Sequence, residues 1–412
     1  MESLAGDWRS LDDDGRAFLA RALASHRVPG PPDEGGGRAV PPPPLAADPG
    51  PGEVSGALAE LLRTAVTAGA SDLHLSAGCR PHLRVRGVLR PLEGAPVLDA
   101  ATVHDLVNGP LGPDQRQQLA ATGDLDTGLT LGGDRDGGAQ RLRANLFRQS
   151  GALAAAIRIV PGRIPSLESL GLPPGVARFA DLGSGLVLVT GPTGSGKSTT
   201  LAALVEQVNH SRPAHIVTIE DPVEYRYTPD RALIQQREIG SDTGSFATAL
   251  RQALRQDPDV ILIGELRDLE TIRTALTAAE TGHLVLATLH SADAPSAVNR
   301  VIDVFPADQQ AQIRSQLALS LEGCVSQRLL PARREGTLTA VTEVLVATGA
   351  VRNLIREDKV HQLRSVLETG GEVGMHTFDQ SLARLVRQQV LDVSVARGAA
   401  DNVAAFDAMV GG

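Results

Sequence analysis

The sequence predicts an α/β protein in which a helix-covered parallel sheet carries a phosphate-binding loop and follows a smaller α+β domain. Three observations predict it. The run Leu186 to Thr190 leads directly into Gly191-Pro192-Thr193-Gly194-Ser195-Gly196-Lys197-Ser198-Thr199, a glycine-rich loop between a strand pattern and a helix pattern. Apolar runs at Leu186 to Val189, Ile216 to Ile219, Val260 to Ile263 and Leu284 to Leu289 alternate with helical periods at Phe246 to Arg255 and Leu269 to Ala279. Ahead of position 161 the pattern differs, with short strands interrupted by helical signals.

In chain order, residues 1–54 open with a helical pattern around Leu11 to Leu23 and continue into Pro29 to Gly52. The GPP, GGG and PPPP runs there cannot pack a core, so a disordered leader is expected. A first domain over 55–160 begins with Leu58, Leu61, Leu62, Ala65 and Val66 at helical spacing, closed by Gly69. Strands are expected near Leu73 to Leu75, Leu83 to Leu89, Leu125 to Leu131, Arg141 to Phe147 and Ala154 to Val160, with helix between Ala100 and Leu119. Pro161 to Pro174 reads as a connector within a linker over 161–177. The second domain then occupies 178–412, where Ile313, Leu317, Leu321 and Cys324 share one face of a late helix and Cys324 belongs to the core.

Composition narrows the function classes. At 412 residues, two domains plus flexible segments are expected. Hydrophobic residues make up 42%, the longest apolar runs are strand-sized, and none can insert in a bilayer. The start of the chain has no basic segment followed by an apolar stretch, so a cytoplasmic protein is expected, and two cysteines suit a reducing compartment. A net charge of -9 argues against broad nucleic-acid binding. Of the two lysines, Lys197 and Lys359, the first stands where the loop motif requires one.

The loop's glycines let backbone N–H groups turn inward around phosphates, and the following helix adds the positive end of its dipole. Lys197 is expected on the β and γ phosphates of ATP, and Ser198 on magnesium. The strand Asp259 to Gly264 ends in Glu265, with Gly264 where a metal-holding Asp usually stands. Glu265 therefore needs help from Glu220, Asp221 and Glu224, which follow strand Ile216 to Ile219; ligands gather at such strand ends. Glu265 is assigned to water polarisation, Glu224 to magnesium and its water shell. His283 and His290 bracket Leu284 to Leu289 seven positions apart, so they point to opposite faces at opposite ends. His290 lies at the carboxyl end and can sense the γ-phosphate, whereas His283 by itself is an ordinary loop histidine.

These residues resemble a known family. GPTGSGKSTT, IEDPVE at Ile219 to Glu224, ALRQDPDVILIGELRDLETI at Ala253 to Ile272 and AAETGHLVLATLH at Ala278 to His290 are similar to the four boxes of secretion and pilus ATPases. ASDLHLSAG at Ala70 to Gly78, AVRNLIREDKV at Ala350 to Val360 and GMHTFDQSL at Gly374 to Leu382 look most like PilT-type retraction ATPases of type IV pili. The resemblance implies a PAS-like first domain, a RecA-like second domain with C-terminal helices, and a homohexamer acting on an inner-membrane pilus platform protein. It also implies that Arg84 and Arg143 approach the nucleotide and that His283 belongs to a functional box. Within Ala350 to Val360, Leu354 and Ile355 would fix a helix, and Arg352, Arg356 and Lys359 would form a basic stripe facing a partner. The Pro-rich leader and Val351 in place of the usual Ile depart from the pattern.

Three rivals share the motif. Assembly and type II secretion ATPases commonly carry a four-cysteine zinc module, which two distant cysteines cannot build. A nucleic-acid motor is opposed by the net charge, and a non-enzymatic regulator by the set Lys197, Ser198, Glu265 and Glu224.

Overall fold

The structure, a computed structural model, describes residues 52–54, 56–85, 87–132, 140–160, 164–334 and 336–411. The expected helix around Leu11 to Leu23 and nearly all of the Pro-rich leader lie outside the described residues.

The first part of the chain forms β1 (Glu53–Val54), α1 (Gly56–Thr67), β2 (Ala70–Ser76), β3 (His82–Val85) and β4 (Val88–Pro91), then α2 (Ala100–Asn108) and α3 (Pro113–Thr122). It ends with β5 (Asp124–Leu131), β6 (Gln140–Gln149) and β7 (Ala152–Ile159). The strands make one sheet in the order β1-β5-β6-β7-β2-β3-β4. Alternation sorts its two faces: on β6, Leu142, Ala144 and Leu146 enter the core with Leu58 and Leu62 of α1. Arg141, Arg143 and Asn145 point the other way. That second, polar face borders the candidate site.

Two readings change here. The stretch Leu83 to Leu89 is two antiparallel strands, β3 and β4, because Gly87 at φ 79° turns the chain between them. Glu53 and Val54, read as leader, pair in parallel with Thr130 and Leu131 of β5.

The second part begins with α4 (Pro174–Ala177), β8 (Gly185–Thr190), α5 (Lys197–Ser211), β9 (His215–Glu220) and β10 (Leu233–Glu238). Next come α6 (Phe246–Ala253), β11 (Val260–Ile263), α7 (Leu269–Glu280), β12 (Leu284–Leu289), α8 (Ala294–Asp303), α9 (Ala307–Ser320), β13 (Leu321–Pro331) and β14 (Leu338–Val346). A helical C-terminal part follows, with α10 (Gly349–Arg356), α11 (Leu363–Thr369), α12 (Phe378–Arg387), α13 (Val393–Ala399) and α14 (Val403–Gly411). The sheet order is β10-β9-β11-β12-β8-β13-β14, parallel throughout except for β14. Every residue of β8 and β12 is buried, as a sheet covered on both faces requires. Leu186 and Leu188 face the core under α6 to α9, while Val187 and Val189 face the one under α5.

The connector is not merely a spacer, since Leu167 and Leu172 are buried in the α5-side core. Cys324 is buried as expected, but on strand β13: α9 stops at Ser320, and the residues read as its continuation extend beside β8. Burial pushes its thiol up to about 12, so it packs as an apolar group. Among the described residues no helix is long and apolar enough to cross a membrane.

Candidate functional site

Four parallel strands deliver their carboxyl ends to one edge of the second sheet. The phosphate loop follows β8, Glu220 to Glu224 follow β9, Gly264 and Glu265 follow β11, and His290 follows β12. Between this edge and the polar face of the first sheet lies a cavity of about 660 Å³, within the range of small-molecule sites. Its lining includes Lys197, Ser198, Glu224, Glu265, His290 and Arg143.

The loop bends tightly. Gly191 sits at φ 143°, and a Cβ there would meet the Ser195 Oγ at 2.6 Å, so only glycine fits. Lys197 is buried, and its Nζ donates to the carbonyls of Gly191 and Pro192 at 2.9 and 3.1 Å. Burial lowers its pKa, against the opposing pull of Glu265 and Glu224. Among the described residues the buried hydroxyls of Ser195 and Thr200 have no hydrogen-bond partner. Thr199 Oγ1 meets the Tyr225 hydroxyl at 2.9 Å, tying the start of α5 to the segment after β9.

The acids separate by environment. Burial alone would raise the Glu265 carboxyl, but Arg267 at 2.7 Å and His290 at 3.4 Å bring it below its usual range. It is a carboxylate at neutral pH. Glu220 goes the other way: burial pushes it up to about 7, although Thr218 Oγ1 donates to its Oε1 at 2.6 Å. Its Oε1 already accepts from Thr218 and, at 3.4 Å, from Gln236, which makes Asp221 and Glu224 the readier magnesium ligands. Among the described residues no three His, Cys, Asp or Glu side chains converge on a metal position. Magnesium nevertheless fits, because it takes one or two protein oxygens and fills its shell with phosphate oxygens and water. Ser198 and Glu224 border the cavity on the side of the loop.

Two candidates lie elsewhere. Arg84 donates to the Gly87 carbonyl at 3.0 Å and sits 3.9 Å from Asp72, away from the cavity lining. His283 precedes β12 at its amino end, with Nδ1 3.0 Å from the Ala278 carbonyl. Both are outside the cavity of their own chain. Conversely, sequence reasoning passed over Arg141, Arg158, Arg267 and Tyr225. Arg141 was detectable, since it is two residues from Arg143 on one strand and must share its face.

Of the basic stripe expected over Ala350 to Val360, Arg356 and Lys359 are exposed, Lys359 beyond the end of α10, whereas Arg352 is withdrawn. Val351 and Ile355 are fully buried, fixing α10. Arg352 is spent internally: Nε donates to Ala347 O at 3.0 Å, Nη1 to Ala318 O and Leu319 O at 3.0 and 2.6 Å, and Nη2 to Glu322 Oε1 at 2.7 Å. It caps the carboxyl end of α9. Lys359 pairs with Glu357 at 2.7 Å.

Known proteins resemble this chain over most of its length. Residues 172–348 match the model of the type II/IV secretion system protein family. The type IV pilus retraction ATPase PilT of Pseudomonas aeruginosa is 45% identical over 340 residues, covering 82% of this chain and 97% of that protein. The chain belongs to the PilT family of secretion ATPases. A twitching motility protein of Neisseria gonorrhoeae is also 45% identical, over 83% of this PilT-family chain and 90% of its own length. A crystal structure of the pilus retraction motor PilT with bound ADP superposes with a TM-score of 0.77 at 42% identity, covering 84% of this chain and 98% of that one. The family and the two-part fold read from the four boxes are therefore those of the molecule.

Proposed function

We propose that this chain is a magnesium-dependent ATPase that works as a homohexameric ring on the cytoplasmic face of the inner membrane and drives type IV pilus retraction. The observation that carries the reading is the convergence of Lys197, Ser198, Glu224, Glu265, His290 and Arg143 on one cavity, in a chain related to a retraction ATPase over nearly that protein's whole length.

In this reading the β and γ phosphates accept from the loop N–H groups and from Lys197 Nζ, replacing the Gly191 and Pro192 carbonyls as the partners of the lysine. Ser198 and Glu224 hold magnesium, whose charge neutralises the phosphates when it is bound. Water attacks the γ-phosphorus in line, the bond to the bridging oxygen breaks, and Glu265 accepts the water's proton. Arg267 and His290 each sit against one Glu265 oxygen and orient the carboxylate, and the second lone pair on each oxygen can take a water. Arg143 and Arg158 bring positive charge from the first domain. Any nucleotide contact by Arg84 or His283 needs a neighbouring subunit, because neither borders its own chain's cavity. The motor's work on the filament requires a membrane partner, for which a pilus platform protein is the candidate.

Two measurements test this. Phosphate release by the purified chain should need magnesium and disappear in Lys197→Ala. Deletion in the host should leave excess unretracted pili; bare cells would assign the chain to assembly instead.

A further inference from the structure

We propose that Arg141 and Glu238 are a positioning pair through which the first domain holds the Asp221 to Glu224 segment in place for hydrolysis. The proposal rests on the ATPase reading above and deepens it.

Arg141 projects from the polar face of β6, and its side chain is 10% exposed. Gly128 on the adjacent strand makes room for it: a Cβ at Gly128 would meet the guanidinium carbon at 2.6 Å. The guanidinium crosses to the second domain, where Nη2 lies 3.1 Å from Glu238 Oε2. Glu238 ends β10 and is 15% exposed on its side chain. The same Oε2 accepts the Val223 N–H at 3.0 Å, while Oε1 accepts from Ser241 Oγ at 3.2 Å. Val223 lies between Asp221 and Glu224, so one carboxylate oxygen joins the first domain to the backbone of the acidic segment.

Two features make this contact decisive rather than incidental. Both partners are largely desolvated, so neither charge is well solvated without the other. The like charge of Arg226 opposes Arg141, and Glu238 is the carboxylate that compensates it. Moreover, Arg141 borders the cavity, and among the described residues its buried Nη1 has no partner, so the group that docks the domains also reaches the site. A shift of the first domain therefore moves the acids that face the phosphate loop.

The experiment is a double-mutant cycle on the full chain, reading kcat and KM for ATP with melting and oligomeric state as controls. Arg141→Gln and Glu238→Gln should each lower kcat about tenfold with KM within about twofold, and the double variant should be no worse than the poorer single. Gly128→Ala keeps both charges but displaces the guanidinium, and should give the same loss of kcat with a melting temperature no lower than that of Arg141→Gln. Additive losses in the double variant, a change confined to KM, or wild-type kcat in Gly128→Ala would each overturn the pair. Lys197→Ala separates this from the reading of the site: if it abolishes turnover, the ATPase assignment stands whatever the pair does.

Discussion

Lys197 and Arg352 are both partly or wholly buried cations placed by a recognisable segment, yet they end in opposite states. Arg352 makes four hydrogen bonds with its three nitrogens and has a carboxylate beside it. Around Lys197 less is committed: its partners are the carbonyls of its own loop, and among the described residues Arg141 Nη1, on a side chain bordering the same cavity, has none. A buried polar group without a partner is expensive, and a bound ligand can supply the missing partner. A cation saturated by backbone carbonyls and a carboxylate holds structure, whereas one held only by its own loop's carbonyls can exchange them for a ligand.

The sharpest way to break this comparison is at the phosphate loop. Lys197→Ala should lower kcat by about 10² or more while barely changing the melting temperature, because its charge is aimed at a ligand. Unchanged phosphate release would end the argument. Glu265→Gln should lose turnover on a similar scale, about 10², while ATP still binds, since the amide keeps the shape but is a far weaker base. Equal losses of binding and turnover would make Glu265 structural.

Arg352→Ala tests the other side. It exposes three helix-end and loop carbonyls and strands Glu322, so unfolding in urea should show a loss of about 2 kcal/mol. Wild-type stability with failed retraction in cells would restore the partner-facing stripe.

Glu220 lies between the two cases, satisfied at one oxygen yet bordering the cavity. Its folded pKa of about 7 lies above the ordinary 4.5, so the folded chain keeps a proton that the unfolded chain releases. Stability from this group is complete below about pH 4.5, declines as pH rises, and is lost above about 7. Glu343, also pushed up to about 7 by burial, adds a decline of the same sign. Glu220→Gln should therefore flatten the melting profile between those pH values and gain about 1 kcal/mol over wild type at pH 8. Parallel profiles would mean that Glu220 is ionised throughout. The smallest effect belongs to Arg356→Ala, within about 0.5 kcal/mol of wild type, because no hydrogen bond or ion pair of this side chain is found among the described residues.

What the sequence determined by itself is the local grammar and the motif. Val260–Ile263 and Leu284–Leu289 are strands at the positions read from their apolar runs, and Lys197 begins α5 as the loop pattern requires. Such features follow from neighbours a few residues apart, where periodicity and backbone freedom act. The same logic failed at Leu321 and Cys324, where a helical spacing continued by chance into a strand. Only the tertiary structure decided which polar groups meet. Arg141 reaches Glu238 across 97 positions, Arg267 and His290 divide the two oxygens of Glu265, and Arg352 turns inward instead of toward a partner. An amphipathic pattern says which face is polar, but partners and protonation states depend on strand order and domain docking, which join segments distant in the chain.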